Sequence, residues 1–207
     1  MEKKKFSEAI IVGTEWAARL ATLNLVFILF SIPLVTVIPS LVALFEVIRS
    51  WEKGNKKTPV FKTFLYEFRK NFWRSYQVGL PLLFISVVLI VDIYYTTGQT
   101  SGGFLILRYA IYTLTVLFSI TALYSLPIFV QYKLPVYKVY FLALTIGLTQ
   151  PFATLSMLLT VAVVIGVNVF WPALSFFFSI SVIAMIAFKM ASHSLQKYDT
   201  TEPVPSE

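Results

Sequence analysis

The sequence predicts an all-α protein, a polytopic membrane helical bundle. Three observations predict it. Of the 207 residues 57% are hydrophobic and only 13% charged, against about 45–50% and about 25% in soluble domains. The mean hydropathy is +0.78, and a soluble body of this size has too much surface to hide that apolar content. The apolar residues also fall in long continuous runs rather than in alternation. Inside lipid only helices and closed barrels satisfy their own backbone, and continuous runs select helices. Together these features exclude a soluble enzyme, a disordered chain and a disulfide-stapled domain.

Five apolar stretches carry the architecture: Leu20–Ile48, Val78–Tyr95, Phe104–Val130, Val139–Ile165 and Trp171–Phe188. A spanning helix needs about 20 residues. The last four stretches suit one helix each, placed at about 76–96, 104–131, 139–165 and 171–190. The first stretch has 29 residues, too many for one upright span and too few for two. Its middle holds Pro33, Thr36 and Pro39, and each proline removes a backbone donor. It is expected to be a Pro-broken helical hairpin over about 17–51, its second leg running from about Ser40 to Trp51.

Charge supports the hairpin. Lys3, Lys4, Lys5 and Arg19 precede it, and residues 49–74 carry eight basic groups against Glu52 and Glu67. Basic flanks stay cytoplasmic. A hairpin puts both flanks on that side and brings Trp16 and Trp51 to one interface. The loops Thr96–Gly103 and Gly166–Phe170, both uncharged, are then external. Gln131–Lys138 is internal, and both termini are cytoplasmic. The competing topology has five spans and an external amino terminus. The overall charge of +7 reads as topogenic charge and as attraction to an anionic inner leaflet rather than to nucleic acid. Glu8, Glu15 and Arg19 interrupt the stretch where a cleaved signal peptide would need its apolar core.

Residues 58–74 form the most informative polar segment. Phe61, Phe64, Leu65, Phe68 and Phe72 recur at helical spacing on one face, with Lys62, Arg69, Lys70 and Arg74 on others. Thr58 suits a cap and Pro59 a first helical position. The segment is expected to be a cytoplasmic amphipathic interfacial helix that docks on lipid or on a partner. Residues 1–198 read as one integral membrane domain, and 199–207, with Pro203 and Pro205, as a disordered tail.

Residues suited to chemistry are few. There is no cysteine and one histidine, His193, so thiolate chemistry, His-based triads and Cys or His metal sets fail by counting. No cofactor, metal site or catalytic residue is expected. Ionisable groups at membrane depth are functional candidates. Asp92 and Arg108 flank one short loop and are expected to form an intramembrane ion pair, with separate snorkelling or a ligand site as competing readings. Glu46 and Arg49 are spaced for an interfacial pair. Pro81, Pro127 and Pro151 fall inside spans. Pro151, beside Thr149, Gln150 and Thr154, marks the most polar mid-depth patch, read as a packed kink.

The run Asn24-Leu25…Phe30-Ser31-Ile32-Pro33-Leu34-Val35-Thr36 followed by Pro39-Ser40…Ala43-Leu44 resembles the signature of YesL-like bacterial membrane proteins. So does Phe61…Phe64…Phe68-Arg69-Lys70-Asn71-Phe72…Ser75. Tyr124-Ser125-Leu126-Pro127…Tyr132, with the later Pro151…Thr154-Leu155, is similar to the family's carboxy-terminal half. The likeness covers about residues 15–165. It implies a multi-pass protein of mostly Gram-positive bacteria, encoded near carbohydrate importers of the ABC class, glycoside hydrolases or sensor kinases. It implies no catalytic residue. The expected function is a non-enzymatic accessory protein that docks on the permease subunits of an oligosaccharide ABC importer. A membrane partner of a sugar-responsive sensor kinase and an independent small transporter are the alternatives.

Overall fold

A computed structural model describes residues 2–55, 58–99, 102–132 and 134–201, and these are helical almost throughout. The helices are α1 (Glu2–Ser31), α2 (Val37–Glu52), α3 (Val60–Thr97), α4 (Gly102–Gln131), α5 (Val136–Thr149), α6 (Pro151–Phe170) and α7 (Pro172–Thr201), with a 3-10 turn at Leu34–Thr36. Six segments are long and apolar enough to cross a membrane: Ile11–Ser31, Leu34–Glu52, Val60–Thr97, Gly103–Gln131, Pro151–Phe170 and Phe176–Gln196. The chain is thus a helical membrane protein. It divides into two compact units, Met1–Phe72 with Leu158–Phe188, and Trp73–Met157 with Lys189–Glu207.

In the first unit α1 and α2 form a Pro-broken hairpin. Pro33 sits in extended backbone ahead of the 3-10 turn. The end of α1 leaves carbonyls without intrahelical partners. The Thr36 hydroxyl meets two of them, donating to Phe30 O at 2.6 Å and Pro33 O at 2.7 Å. Pro39 lies two residues inside α2, in the first turn, where a missing N–H leaves nothing unbonded. The rings of Trp16, midway along α1, and Trp51, near the end of α2, meet edge to face at 5.7 Å, so the legs run antiparallel. Val42, Ala43, Leu44, Val47, Ile48 and Trp51 bury the face of α2.

Four expected boundaries change. The helix expected at 58–74 and the span at 76–96 are one continuous helix, α3, of 38 residues. Nothing between Arg74 and Tyr76 stops it, because Pro81, the nearest breaker, falls a turn later and is carried inside the helix. The span expected at 139–165 is instead two helices. Gln150 leaves helical geometry at φ −122° and ψ 68°, as residues before proline do, so Pro151 ends α5 rather than kinking it. The 14 residues of α5 make about 21 Å, short of the roughly 30 Å hydrocarbon core. The external loop expected at Gly166–Phe170 is the last turn of α6, and the chain reverses at Trp171 ahead of Pro172. Of the expected tail, Asp199–Thr201 close α7, and 202–207 lie outside the described residues.

In the second unit α5 packs on α4 through Val139, Ala143, Ile146 and Gly147, all buried on one helical face. Gly147 is the point of closest approach. A Cβ built there overlaps Ile120 Cγ2, and the Tyr124 ring lies 3.5 Å away. Tyr140 donates its hydroxyl to Val78 O of α3 at 2.6 Å. The Arg74 guanidinium covers the Phe129 ring at 4.7 Å.

Ile120 is stiff at its branched carbon, so it cannot swing clear of a new methyl. Gly147→Ala is expected to destabilise the detergent-solubilised protein by about 1–3 kcal/mol, read from its thermal midpoint. Ile120→Ala should recover part of that loss in the double variant. Strictly additive losses would contradict the contact.

Candidate functional site: the outer face of α3 and the polar joints

The amino-terminal half of α3 holds all the docking residues that the sequence singles out. Phe64 is fully buried, and the rings of Phe61, Phe64 and Phe68 lie 6.2, 5.3 and 5.1 Å from the ring of Phe30 in α1. Phe68 continues the stripe to Phe72 at 5.5 Å. The Phe stripe is therefore directed at the chain's own hairpin, and only Phe61 keeps about half its surface exposed. The sequence pattern locates the apolar face and does not identify its partner, because Phe30 is 31 residues away from Phe61.

The outer face is cationic and aromatic. Lys62, Tyr66, Arg69, Lys70 and Trp73 are exposed along it. Lys62, Leu65, Tyr66, Arg69 and Lys70 line an open cleft of about 490 Å³. Lys70 pairs with Glu67 at 3.5 Å, and its ammonium stands 5.4 Å from the Tyr66 ring centre. Glu67 also accepts from Asn71 Nδ2 at 3.0 Å. On α2, Glu46 and Arg49 pair at 3.2 Å, and Glu46 lies within electrostatic reach of Glu67 and Lys70.

The expected pair of Asp92 with Arg108 does not form. Arg108 Nη2 donates instead to the carbonyls of Thr96 at 2.6 Å, Gln99 at 2.7 Å and Thr97 at 3.3 Å. These are the carbonyls left open where α3 ends, and the negative end of its dipole lies there too. They outcompete a carboxylate set more than a turn further in. Asp92 is half-buried, and its backbone carbonyl accepts from the Thr96 hydroxyl at 2.7 Å.

One joint escaped the sequence reading, and a second was read there as a packed kink rather than a break. Asn24 is fully buried in α1. Its Nδ2 donates to Phe176 O of α7 at 2.7 Å, and its Oδ1 accepts from the N–H groups of Ile180 and Ser181, each at 3.2 Å. The amide is spliced into the α7 ladder between a carbonyl and the donor four residues on. The available signal was a lone Asn inside the run Leu23–Val26, since polar side chains in membranes join helices. The second joint is the Pro151 break. Without a proline N–H, Gly147 O has no helical donor. The Thr154 hydroxyl supplies one at 2.8 Å and also contacts the Tyr124 hydroxyl at 3.1 Å. Gln150 Nε2 donates to Ser194 O at 2.8 Å, and Ser192 donates to Gln131 Oε1 at 2.9 Å. His193 is exposed. Among the described residues no group of three or more His, Asp or Glu is placed to hold a metal ion.

The model of a family described as "Protein of unknown function, DUF624" matches residues 20–93. Protein YteU of Bacillus subtilis is 32% identical over 176 residues, covering 82% of this chain and 78% of YteU. The chain belongs to the YesL-like family. Protein YesL itself, from the same organism, is 29% identical over 89% of this chain and 88% of its own. YesV is 28% identical over 94% and 95%. All three relatives are named as uncharacterized proteins, and no solved structure matches the chain significantly. The stretch shared with the YesL-like family model takes in the hairpin and α3, with Asn24, Pro33, Thr36, Pro39 and the Phe stripe. Arg108, Gly147 and Thr154 lie beyond it.

Removing the Thr154 hydroxyl leaves a buried carbonyl without a donor. Thr154→Val is expected to lower stability by about 1–3 kcal/mol, and Thr154→Ser, which keeps the donor, by clearly less. Equal losses in chemical denaturation of the two variants would count against the joint.

Proposed function

We propose that this YesL-like chain is a non-enzymatic accessory protein of the bacterial cell membrane, docking on the permease subunits of a carbohydrate ABC importer. One observation carries the docking part. Leu155, Leu159, Val163, Ile165, Val169 and Phe170 of α6 are each more than half exposed, on a segment whose apolar window is only 11% buried. Meanwhile the polar side chains of the joints are bound to backbone of the chain itself. What the molecule presents at membrane depth is apolar lateral surface, suited to association with another membrane protein. The family resemblance alone supplies the importer and its sugar.

The orientation belongs to the same reading. By the positive-inside rule Arg19, Arg49, Lys53, Arg69, Lys70 and Lys138 place both termini in the cytoplasm. At about 57 Å, α3 exceeds the hydrocarbon thickness, and its basic amino-terminal half extends into the cytoplasmic interface.

Photo-crosslinking residues placed at Leu159 and Val163 in the native host test the proposal. The expected outcome is a covalent adduct with a carbohydrate permease subunit, identified by mass spectrometry, together with reduced sugar uptake when the gene is deleted. Adducts with lipid alone would contradict it. Normal uptake with altered transcription of the sugar operon would move the reading to a sensor-kinase partner.

A further inference from the structure

The open cleft on α3 has a chemistry that permease docking through α6 does not use. We infer that Lys62, Arg69 and Lys70, with the Leu65 and Tyr66 side chains between them, form a binding site for the phosphate headgroup of an anionic phospholipid. The inference is independent of which protein α6 meets.

Charge and position carry it. Lys62, Arg69 and Lys70 stand at i, i+7 and i+8 and therefore share one side of the helix. Glu67 pairs with Lys70, its side chain only 16% exposed while that of Lys70 is 56% exposed, and Glu46, also in electrostatic reach of Lys70, is already paired with Arg49. Glu67 is drawn inward by Asn71, so the positive charge lies outermost. Lys70 is held over the Tyr66 ring, which orders the ammonium before any ligand arrives. Leu65 and Tyr66 give the cleft an apolar floor, suited to a glycerol backbone and wrong for a fully hydrated ion.

Depth selects lipid over free phosphate. Trp73, 81% exposed, marks the interface level on α3, as exposed tryptophans do. Arg69 and Lys70 lie three to four residues before it, about 5 Å along the axis, and the headgroup layer is about 5–7 Å deep on each face. Helical side chains lean toward the amino terminus, which here is away from the hydrocarbon. Both cations therefore reach out into the phosphate layer, and Lys62 closes the outer end of the cleft.

The test uses the full-length protein in neutral detergent, with lipid adducts counted by native mass spectrometry. Phosphatidylglycerol, phosphatidylcholine and inorganic phosphate are the probes. Phosphatidylglycerol is expected to bind at least about tenfold tighter than phosphatidylcholine. Lys62→Gln/Arg69→Gln/Lys70→Gln should abolish that preference, while Lys53→Gln/Lys138→Gln keeps it. Should the triple variant fail to fold, Arg69→Gln alone is expected to weaken phosphatidylglycerol binding by roughly fivefold. Equal binding of the two lipids, or a preference that survives the cleft substitutions, would overturn the inference. Displacement of the lipid by an equal concentration of inorganic phosphate would overturn it too, assigning a free-phosphate site.

Discussion

A helix that stops or bends at membrane depth exposes backbone groups that lipid cannot bond, and each unbonded group costs several kcal/mol. Asn24 is the clearest answer to that constraint here. Both ends of its amide are bonded to the backbone of α7, at Phe176, Ile180 and Ser181. The amide bonds one carbonyl of α7 and the N–H groups four and five residues further on. It also fixes α1 against α7 with a geometry that apolar contacts do not provide, since lipid packs against leucine as well as another helix does.

The other joints follow the same rule with different donors. Thr36 closes the end of α1, Thr154 supplies the donor that Pro151 lacks, and Arg108 gathers the terminal carbonyls of α3. The chain folds by breaking helices where a nearby side chain can complete them. The consequence for function is that these polar groups are engaged inside the fold. The apolar side of α6 and the cationic–aromatic face of α3 are among the surfaces that stay exposed.

Much of this was legible in the sequence, for reasons that differ by element. The hairpin break was readable because Pro33, Thr36 and Pro39 act within a few residues of themselves. The Phe stripe was readable as a face, but its packing on Phe30 was not, because periodicity gives direction around a helix and no identity to the neighbour. The span over 139–165 misled because hydropathy does not register Gln150–Pro151 as an interruption between two apolar runs. Arg108 misled for a related reason. Asp92 is its visible counter-charge, whereas the carbonyls of Thr96, Thr97 and Gln99 are present in every sequence and carry no letter. Asn24 stood in plain view as one polar residue in an apolar run, and only the course of α7 shows what it bonds.

Side-chain joints, with Asn24 foremost, hold these interrupted helices together. Hydrogen–deuterium exchange across residues 174–184, in lipid nanodiscs, compares the native chain with Asn24→Leu, which has similar volume and no amide. Exchange at Ile180 and Ser181 is expected to rise by about tenfold, close to the upper range of an interhelical hydrogen bond in a membrane. Unchanged exchange there would contradict it.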